Sequence, residues 1–149
     1  MKTIRRDSEK GFSLIELMIA IVIIGILAGI GYPSYQSHMR ASRRAEAQSD
    51  LLQLASFMER FFSINYRYDQ DTAGVGTVLP FDESPQFSSN PAYIITPTFA
   101  ATSYRLKATP AVNSPQAGDG YLELRDAGGR IWDTNNNNTV ESDENDWER

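Results

Sequence analysis

The pattern of hydrophobic and polar positions divides this chain of 149 residues into stretches of different character. Residues 12–32 have the sequence FSLIELMIAIVIIGILAGIGY, which contains one formal charge, Glu16. A helix of about 20 apolar residues is long enough to cross the hydrocarbon core of a membrane. A cleaved secretory signal has a shorter apolar region. We therefore predict that residues 12–33 form a membrane-spanning helix that stays attached to the rest of the chain.

Beyond Pro33 the pattern becomes that of an amphipathic helix. Apolar residues recur at steps of three and four positions, which is typical of one buried helix face: Ala41, Ala45, Leu51, Leu52, Ala55, Met58, Phe61 and Phe62. We predict one long helix from Phe12 to Phe62, about 75 Å in length at 1.5 Å per residue. A domain of this size cannot enclose such a helix, so part of it must protrude.

The remainder of the chain favours a loop followed by strands. Residues 65–90 contain several Gly and Pro and little periodicity, which is typical of a long loop. Residues 92–96, 103–108, 121–125 and 130–132 are rich in β-formers, with a turn at 97–102 and a hairpin loop at 126–129. The predicted fold class is α+β: a four-stranded antiparallel sheet packed against the second half of the long helix.

Composition and charge exclude several kinds of chemistry. The chain has no cysteine, so it has no disulfide, no zinc–thiolate site and no cysteine nucleophile. Fourteen Lys and Arg against nineteen Asp and Glu give a net charge of −5. A general nucleic-acid binder is normally basic, so we do not expect nucleic acid as a ligand. No nucleophile elbow, phosphate-binding glycine loop or paired acid–base frame is present, and we predict that the chain is not an enzyme.

Glu16 is anomalous because a carboxylate within an apolar span costs roughly 2.5–3.5 kcal/mol on insertion scales. One explanation is that Glu16 lies near the membrane interface and reaches the head groups. The other is that a positive charge is created close to it. Proteolysis after Gly11 would create that charge, because it exposes the amine of Phe12.

The residues around this position resemble a processing signal. Residues 10–16, Lys-Gly-Phe-Ser-Leu-Ile-Glu, follow a basic leader and open the apolar run, and they resemble the class III signal of type IV pilins and pseudopilins. The resemblance implies that a prepilin peptidase cuts after Gly11 and that Phe12 becomes the N-methylated terminus. It implies that Glu16 neutralises the terminal amine of an adjacent subunit during assembly. The chain then divides into a leader (1–11), a transmembrane and filament-core helix (12–33) and a globular pilin domain (34–149).

Other segments resemble PilE-type minor pilins of type IVa pili: residues 32–36, 43–48, 58–62, 104–108 and 116–120. The resemblance implies the pilin fold and a structural subunit that takes part in pilus assembly and priming, and hence in twitching motility and surface attachment. Expected partners are major and other minor pilins, the prepilin peptidase, the inner-membrane assembly platform, membrane lipid and, as a further candidate, a tip adhesin. Before assembly the chain would lie in the inner membrane, and afterwards in the extracellular pilus.

Two alternative functions stay open. The first is a pseudopilin of a type II secretion system. The second is a tip pilin that acts as a ligand-binding module, holding an adhesin or DNA.

The acidic segment 133–144 resembles a twelve-residue calcium loop of the EF-hand type. The predicted ligands are Asp133, Asn135, Asn137, Thr139 through its carbonyl, Glu141 and Glu144. Asn138 replaces the usual glycine, because asparagine tolerates a left-handed conformation, and Val140 is expected to pack inward. The alternative is a solvated Asn/Asp-rich loop. Many type IV pilins close this end with a disulfide, so bound Ca²⁺ would replace a clamp that this chain lacks.

Overall fold

A computed structural model of the chain describes residues 12–141, 144, 146 and 147. The leader 1–11, with the predicted cleavage residue Gly11, lies outside the described residues. The elements are one helix, α1 (Leu14–Asn65), and five strands: β1 (Glu83–Ser84), β2 (Tyr93–Phe99), β3 (Tyr104–Pro110), β4 (Leu122–Arg125) and β5 (Arg130–Trp132). The chain divides into two compact units, with the boundary between His38 and Met39.

In the first unit, α1 begins immediately after Ser13 and contains Pro33 within its length. The predicted long helix is confirmed, with its ends at Leu14 and Asn65 instead of Phe12 and Phe62. The apolar side chains of this part are exposed, Leu14 at 77% and Ile30 at 73%.

In the second unit, one face of α1 packs on the inner face of the sheet. Ala47, Leu51, Leu54 and Met58 are fully buried at the three- and four-residue steps of a helix face. They meet the buried side chains of the central strands, which alternate along each strand: Tyr93, Ile95, Tyr104, Leu106, Ala108, Leu122 and Leu124. The core is therefore a helix-on-sheet layer, as the α+β class requires.

The sheet has five strands in the order β1-β2-β3-β4-β5, and every neighbouring pair is antiparallel. The prediction of four strands was wrong by one, because it placed Glu83 and Ser84 in a loop. β1 has only two residues, between Pro80 and Pro85, so no periodicity could reveal it. Hydrogen bonds hold it in the sheet, among them one from the Ala92 N–H to the Ser84 carbonyl at 2.8 Å.

The predicted turn at 97–102 was also wrong, because β2 continues through Pro97 to Phe99. Proline lacks an N–H and is tolerated only where the sheet needs no donor. The Ile95 N–H points away from β3, toward the Asp82 carbonyl, at 2.7 Å. Position 97 points the same way because strands alternate with a period of two. β1 does not extend to that position, so Pro97 loses no ladder hydrogen bond.

Candidate functional site

The predicted assembly residues lie together at the start of α1. Phe12 is 86% exposed, and the Ser13 N–H donates a hydrogen bond to Glu16 Oε2 at 2.9 Å. Ser13 precedes the helix and Glu16 is its third residue, so the pair has the S-x-x-E spacing of a capping box. Glu16 therefore has a local partner that the sequence analysis missed, although the spacing could have shown it. Its other carboxylate oxygen, Oε1, has no hydrogen bond among the described residues.

The apolar part of α1 is exposed on all sides of the helix. A helix that is hydrophobic all round normally lies in a protein core or a membrane. Within the described residues, α1 contains a stretch long and apolar enough to cross a membrane, with a mean hydropathy of 2.7. Its large apolar side chains are each more than half exposed, among them Leu17, Met18, Ile19, Ile21, Val22, Ile23, Ile24, Ile26 and Leu27. This surface needs a lipid or protein partner.

A second cluster, which the sequence analysis missed, is centred on Asp119. Arg44 of α1 donates two hydrogen bonds to the Asp119 carboxylate, at 3.0 and 2.6 Å. The Tyr93 hydroxyl and the Gln116 amide donate to the same carboxylate at 2.8 and 3.0 Å. Burial raises the pKa of Tyr93 above its ordinary value, so this hydroxyl keeps its proton at neutral pH. The cluster fastens the segment 111–120 to the helix.

The same cluster leads into the C-terminal loop. The Arg44 guanidinium lies 3.6 Å from the centre of the Trp132 ring, and the Trp132 indole donates to the Asp119 carbonyl at 2.9 Å. Such a cation–π contact is stronger when the cation is shielded from water, and only 15% of the Arg44 side chain is exposed. Asp133, the first residue of the predicted calcium loop, follows Trp132 directly.

The two end carboxylates of this loop are buried, Asp133 at 0% and Glu144 at 1% exposure. Asp133 accepts hydrogen bonds from the N–H groups of Asn137 and Asn138, at 3.1 and 2.9 Å. Glu144 accepts from the N–H groups of Thr134 and Glu141, at 3.0 and 3.1 Å. The loop is thus closed by backbone hydrogen bonds to its first and last side chains.

The middle positions of the loop are more exposed. Asn137 accepts from the Thr139 N–H at 2.7 Å and donates to Glu141 at 2.9 Å, and Asn135 accepts from the Asn137 N–H at 2.9 Å. The predicted left-handed conformation of Asn138 is confirmed by its φ of 62°. The expectation that Val140 packs inward was wrong, because this side chain is 44% exposed.

The donor set has the oxygen chemistry that Ca²⁺ prefers. Two hydrogen bonds leave Asp133 about half of the roughly four acceptor sites of a carboxylate. Among the described residues, however, no group of three or more His, Cys, Asp or Glu side chains is placed to hold a metal ion. Calcium binding by the six residues named from the sequence therefore stays a prediction.

A long exposed apolar helix that continues into a helix-on-sheet domain defines the class of pilin-like proteins. The family model described as "Type IV minor pilin ComP, DNA uptake sequence receptor" matches residues 33–120, more than half of the chain. The model described as "Prokaryotic N-terminal methylation motif" matches residues 6–32. The chain belongs to the type IV pilin family, which is a family of structural subunits and not of enzymes.

Several curated proteins are similar to parts of the chain. "Type II secretion system core protein G" of Escherichia coli is 27% identical over 56% of this chain and 58% of its own length. "Type IV major pilin protein PilA" of Myxococcus xanthus is 40% identical over 46% of this chain and 31% of its own. "Fimbrial protein EcpC" of Eikenella corrodens is 59% identical over 28% of each chain. The chain thus covers less than two thirds of each of these relatives.

Proposed function

We propose that this chain is a minor pilin that is anchored in the inner membrane, cleaved after Gly11 and extracted into a type IV pilus. The observation that carries the proposal is the exposed apolar part of α1, which lies within residues 6–32, the range matched by the methylation motif. Lipid covers this surface before assembly, and the helices of neighbouring pilins cover it afterwards. Both environments shield the apolar side chains from water, so the same segment serves as anchor and as filament core.

In this assembly step, Glu16 fixes the axial position of one subunit relative to its neighbour. After cleavage, the amine of Phe12 would stand four residues before a carboxylate that lies in an apolar surrounding. In such surroundings the attraction between opposite charges is strong, and an unpaired charge is costly. A neighbouring Phe12 amine would satisfy Glu16 at one axial position only. The proposed partners are therefore the major and other minor pilins, together with the prepilin peptidase and the inner-membrane assembly platform.

Processing at Gly11 tests the proposal. Gly11→Glu should leave a full-length precursor in the membrane, since the peptidase would lose its small residue, whereas Gly11→Ala should still be cut at a lower rate. Thr3→Ala, elsewhere in the leader, is the matched control and should mature normally. Mass spectrometry of the chain from cells provides the readout. A wild-type chain that still begins at Met1 would contradict the pilin proposal.

A pseudopilin of a type II secretion system is the first rival, because core protein G of that system is among the similar proteins. The two assemblies have different phenotypes. Deletion of the gene should reduce piliation, twitching and surface attachment if our proposal holds. Loss of protein secretion with normal pili would favour the pseudopilin.

DNA binding is a second candidate, favoured by the description of the matching family model. Charge opposes it, because residues 12–149 carry ten Lys and Arg and seventeen Asp and Glu, so 10 − 17 = −7. A gel shift with the full chain in detergent would test it across a salt series, since phosphate contacts weaken steeply with salt. A retained, salt-sensitive complex at physiological ionic strength would establish DNA as a ligand.

A further inference from the structure

An open groove, which we call the β2 groove, lies along the edge of β2 beyond the two residues of β1. It has a volume of about 540 Å³ and is lined by residues 77–82, 94–97 and 99. Phe81 and Ile95 in this lining are buried, while Val78 and Ile94 are 79% and 42% exposed. Among the described residues that line it, only Asp82 carries a formal charge. A mainly apolar groove of this size is typical of a binding site.

A second apolar feature, Phe87, lies on the loop that connects β1 to β2. Its side chain is 80% exposed, and its φ is 57°. A left-handed conformation is unfavourable for a residue that has a side chain, and an exposed ring gains no burial in return. Residues held in such a conformation cluster at sites of function. The fold thus holds an aromatic side chain outward against its backbone preference.

Contacts on both sides of Phe87 fix the loop in this conformation. The Gln86 amide donates a hydrogen bond to Asp50 Oδ1 on α1 at 2.8 Å, and Asp50 itself is buried. The Ser88 N–H donates to the Pro85 carbonyl at 3.3 Å. The ring is therefore positioned before any partner arrives, which lowers the entropy lost on binding.

The loop and the β2 groove lie at opposite ends of β2. Because β1 runs antiparallel to β2, the loop leads into Tyr93 at the start of β2. The groove lies beside the later residues of the strand. Pro97, within the groove, is four residues from Tyr93, or about 14 Å at about 3.4 Å per residue. Since Phe87 is 80% exposed, it does not occupy the groove of its own chain.

Within the second unit, β2 runs in the same direction as the part of α1 on which it packs. Near the start of β2, the Tyr93 hydroxyl and Arg44 of α1 donate to the same carboxylate. Near its end, Tyr104, which is paired with Phe99, interacts with Glu59 of α1. The groove therefore lies further along α1 than the loop does.

We propose that Phe87 of one copy of this chain inserts into the β2 groove of a second copy. The two surfaces differ, so the contact is heterologous and repeats from copy to copy instead of closing as a two-fold dimer. The copy that supplies Phe87 is displaced toward the Glu59 end of α1 and rotated about that direction. The inference rests on the proposed function, which places copies of α1 side by side in one direction.

Charge favours this occupant over nucleic acid or an anionic lipid. Residues 84–91 carry no formal charge, and Asp82 lies exposed at the rim of the groove. Insertion of Phe87 therefore buries no unpaired charge, whereas a phosphate in the groove would be repelled by Asp82.

The size of the contact restricts where it operates. A buried aromatic side chain contributes about 150–250 Å², far below the roughly 1,200 Å² of a stable complex between free proteins. The contact therefore acts between copies that a membrane or a filament already holds next to each other.

Photocrosslinking tests the contact without removing the aromatic ring. Two differently tagged copies of the full chain are expressed together, with p-benzoylphenylalanine in place of Phe87, and native membranes or isolated pili are irradiated. We expect crosslinked dimers that contain both tags, and mass spectrometry should locate the second attachment point within residues 77–82 or 94–99.

Tyr66 provides the matched control for the crosslink. It is also an aromatic residue, 81% exposed with a φ of 59°, and p-benzoylphenylalanine at this position should not crosslink to the groove. Groove crosslinks of equal yield from both positions would overturn the proposal, and so would their absence from position 87.

The substitution Phe87→Asn separates a binding role of the ring from a structural one. Asparagine tolerates the left-handed conformation, so the melting temperature of the full chain in detergent should stay the same or rise. The share of the chain found in sheared pili should fall about ten-fold, as expected for loss of an aromatic anchor. Tyr66→Asn should leave that share unchanged. A lower melting temperature of Phe87→Asn with normal incorporation would assign the ring a structural role and overturn the proposal.

Two further readouts separate this inference from its rivals. The N-terminal residue, determined by mass spectrometry on the same samples, shows whether the chain matures as a pilin. A mature chain that enters pili without a crosslink from position 87 to the groove would disprove the contact and leave the pilin proposal standing. Crosslinks from position 87 only to a different pilin, or only to lipid, would assign Phe87 to that partner and overturn the inference.

Discussion

At the scale of single residues, Glu16 shows two roles that can be separated. It caps α1 through the Ser13 N–H, and it carries the only formal charge of the apolar run. A glutamine at the third helical position can also complete a capping box. Substitution by Gln therefore removes the charge and keeps the cap, whereas substitution by Val removes both.

We expect that Glu16→Gln and Glu16→Val will both be inserted and cleaved but will fail to enter the filament, because the Phe12 amine of a neighbour loses its counter-charge. Glu16→Val should also fray the first helical turn, at a cost of about 0.5–1 kcal/mol. Quantifying each variant in sheared pili and in membranes would check this. Normal incorporation of Glu16→Gln would show that capping, and not charge, is the role of Glu16.

Gly120 is required by a close approach of two backbone segments. Its φ is +77°, and a Cβ atom here would lie 1.6 Å from the Asp133 carbonyl oxygen. Gly118 nearby has a φ of +85° but open space around it. Both glycines have a positive φ, but only Gly120 lies close to another backbone segment. Substitution of Gly118 is therefore a matched control for substitution of Gly120.

Gly118→Ala should destabilise the fold by about 1 kcal/mol, from the positive φ alone. Gly120→Ala should cost about 3 kcal/mol or more, because the start of the C-terminal loop must also move. Thermal melting of the full chain in detergent, followed by the near-ultraviolet signal of tryptophan, would measure both. Equal melting temperatures for the two variants would contradict the close approach.

At the scale of elements, the periodicity of the sequence correctly predicted the long helix. It missed those strand boundaries that depend on tertiary contacts. The apolar run and the amphipathic repeat correctly gave one helix across Pro33, and residues 130–132 were correctly assigned to a strand. β1 was missed because two residues cannot show a period. The end of β2 was missed because whether Pro97 is tolerated depends on where β1 stops.

The candidate functional residues also differ in whether the sequence alone could predict them. A short local motif carries Gly11, Phe12 and Glu16, so sequence alone could suggest them. The Asp119 cluster joins Arg44 of α1, Tyr93 of β2 and Trp132 of β5 across long sequence separations. No spacing rule connects such residues, and only the folded chain brings them together.

The C-terminal loop provides the prediction at this scale: calcium should stabilise it. At about 1 mM Ca²⁺, a site with a dissociation constant near 10 μM would add about 2.7 kcal/mol, and a site near 1 mM only about 0.4 kcal/mol. The measurement is the melting temperature of the full chain in chelator and in millimolar calcium.

Variants assign the calcium effect to side chains. Asp133→Asn retains one of the two oxygens that accept from the Asn137 and Asn138 N–H groups and removes the charge, so it should lower stability and abolish the calcium-dependent shift. Asn136→Ala, away from the expected ligands, should lower stability because of its φ of 56° yet retain the shift. If the wild-type chain melts at the same temperature with and without calcium, the segment is a solvated loop closed by its own hydrogen bonds.

At the scale of the whole molecule, the proposed cleavage after Gly11 would change the net charge. The leader carries four basic and two acidic residues, so its removal takes the side-chain charge from −5 to −7. Net charge of one sign keeps chains apart, whereas a value near zero promotes association. Copies of a cleaved chain would therefore repel one another more strongly than copies of the precursor at neutral pH.

Lowering the pH toward about 4.8, the isoelectric point of the full sequence, should therefore promote association of the detergent-solubilised full-length chain. Light scattering across pH 7 to 4.5 would report it, and repeating the series at high salt would show how much of the effect is electrostatic, because salt screens exposed charges. Scattering that stays flat through the isoelectric region would mean that surface charge does not control association.

The attachment of the segment 111–120 to α1 also determines how the second unit responds to a pulling force along the helix. Gln116 donates to the Arg40 carbonyl at 3.2 Å, and Asp119 holds Arg44 one turn further along the helix. These contacts lie at the end of the second unit where α1 enters it, so tension along the helix would load them before the buried apolar face. The ion pair between Arg44 and Asp119 and the hydrogen bond of Gln116 would then determine the force at which α1 begins to separate from the sheet.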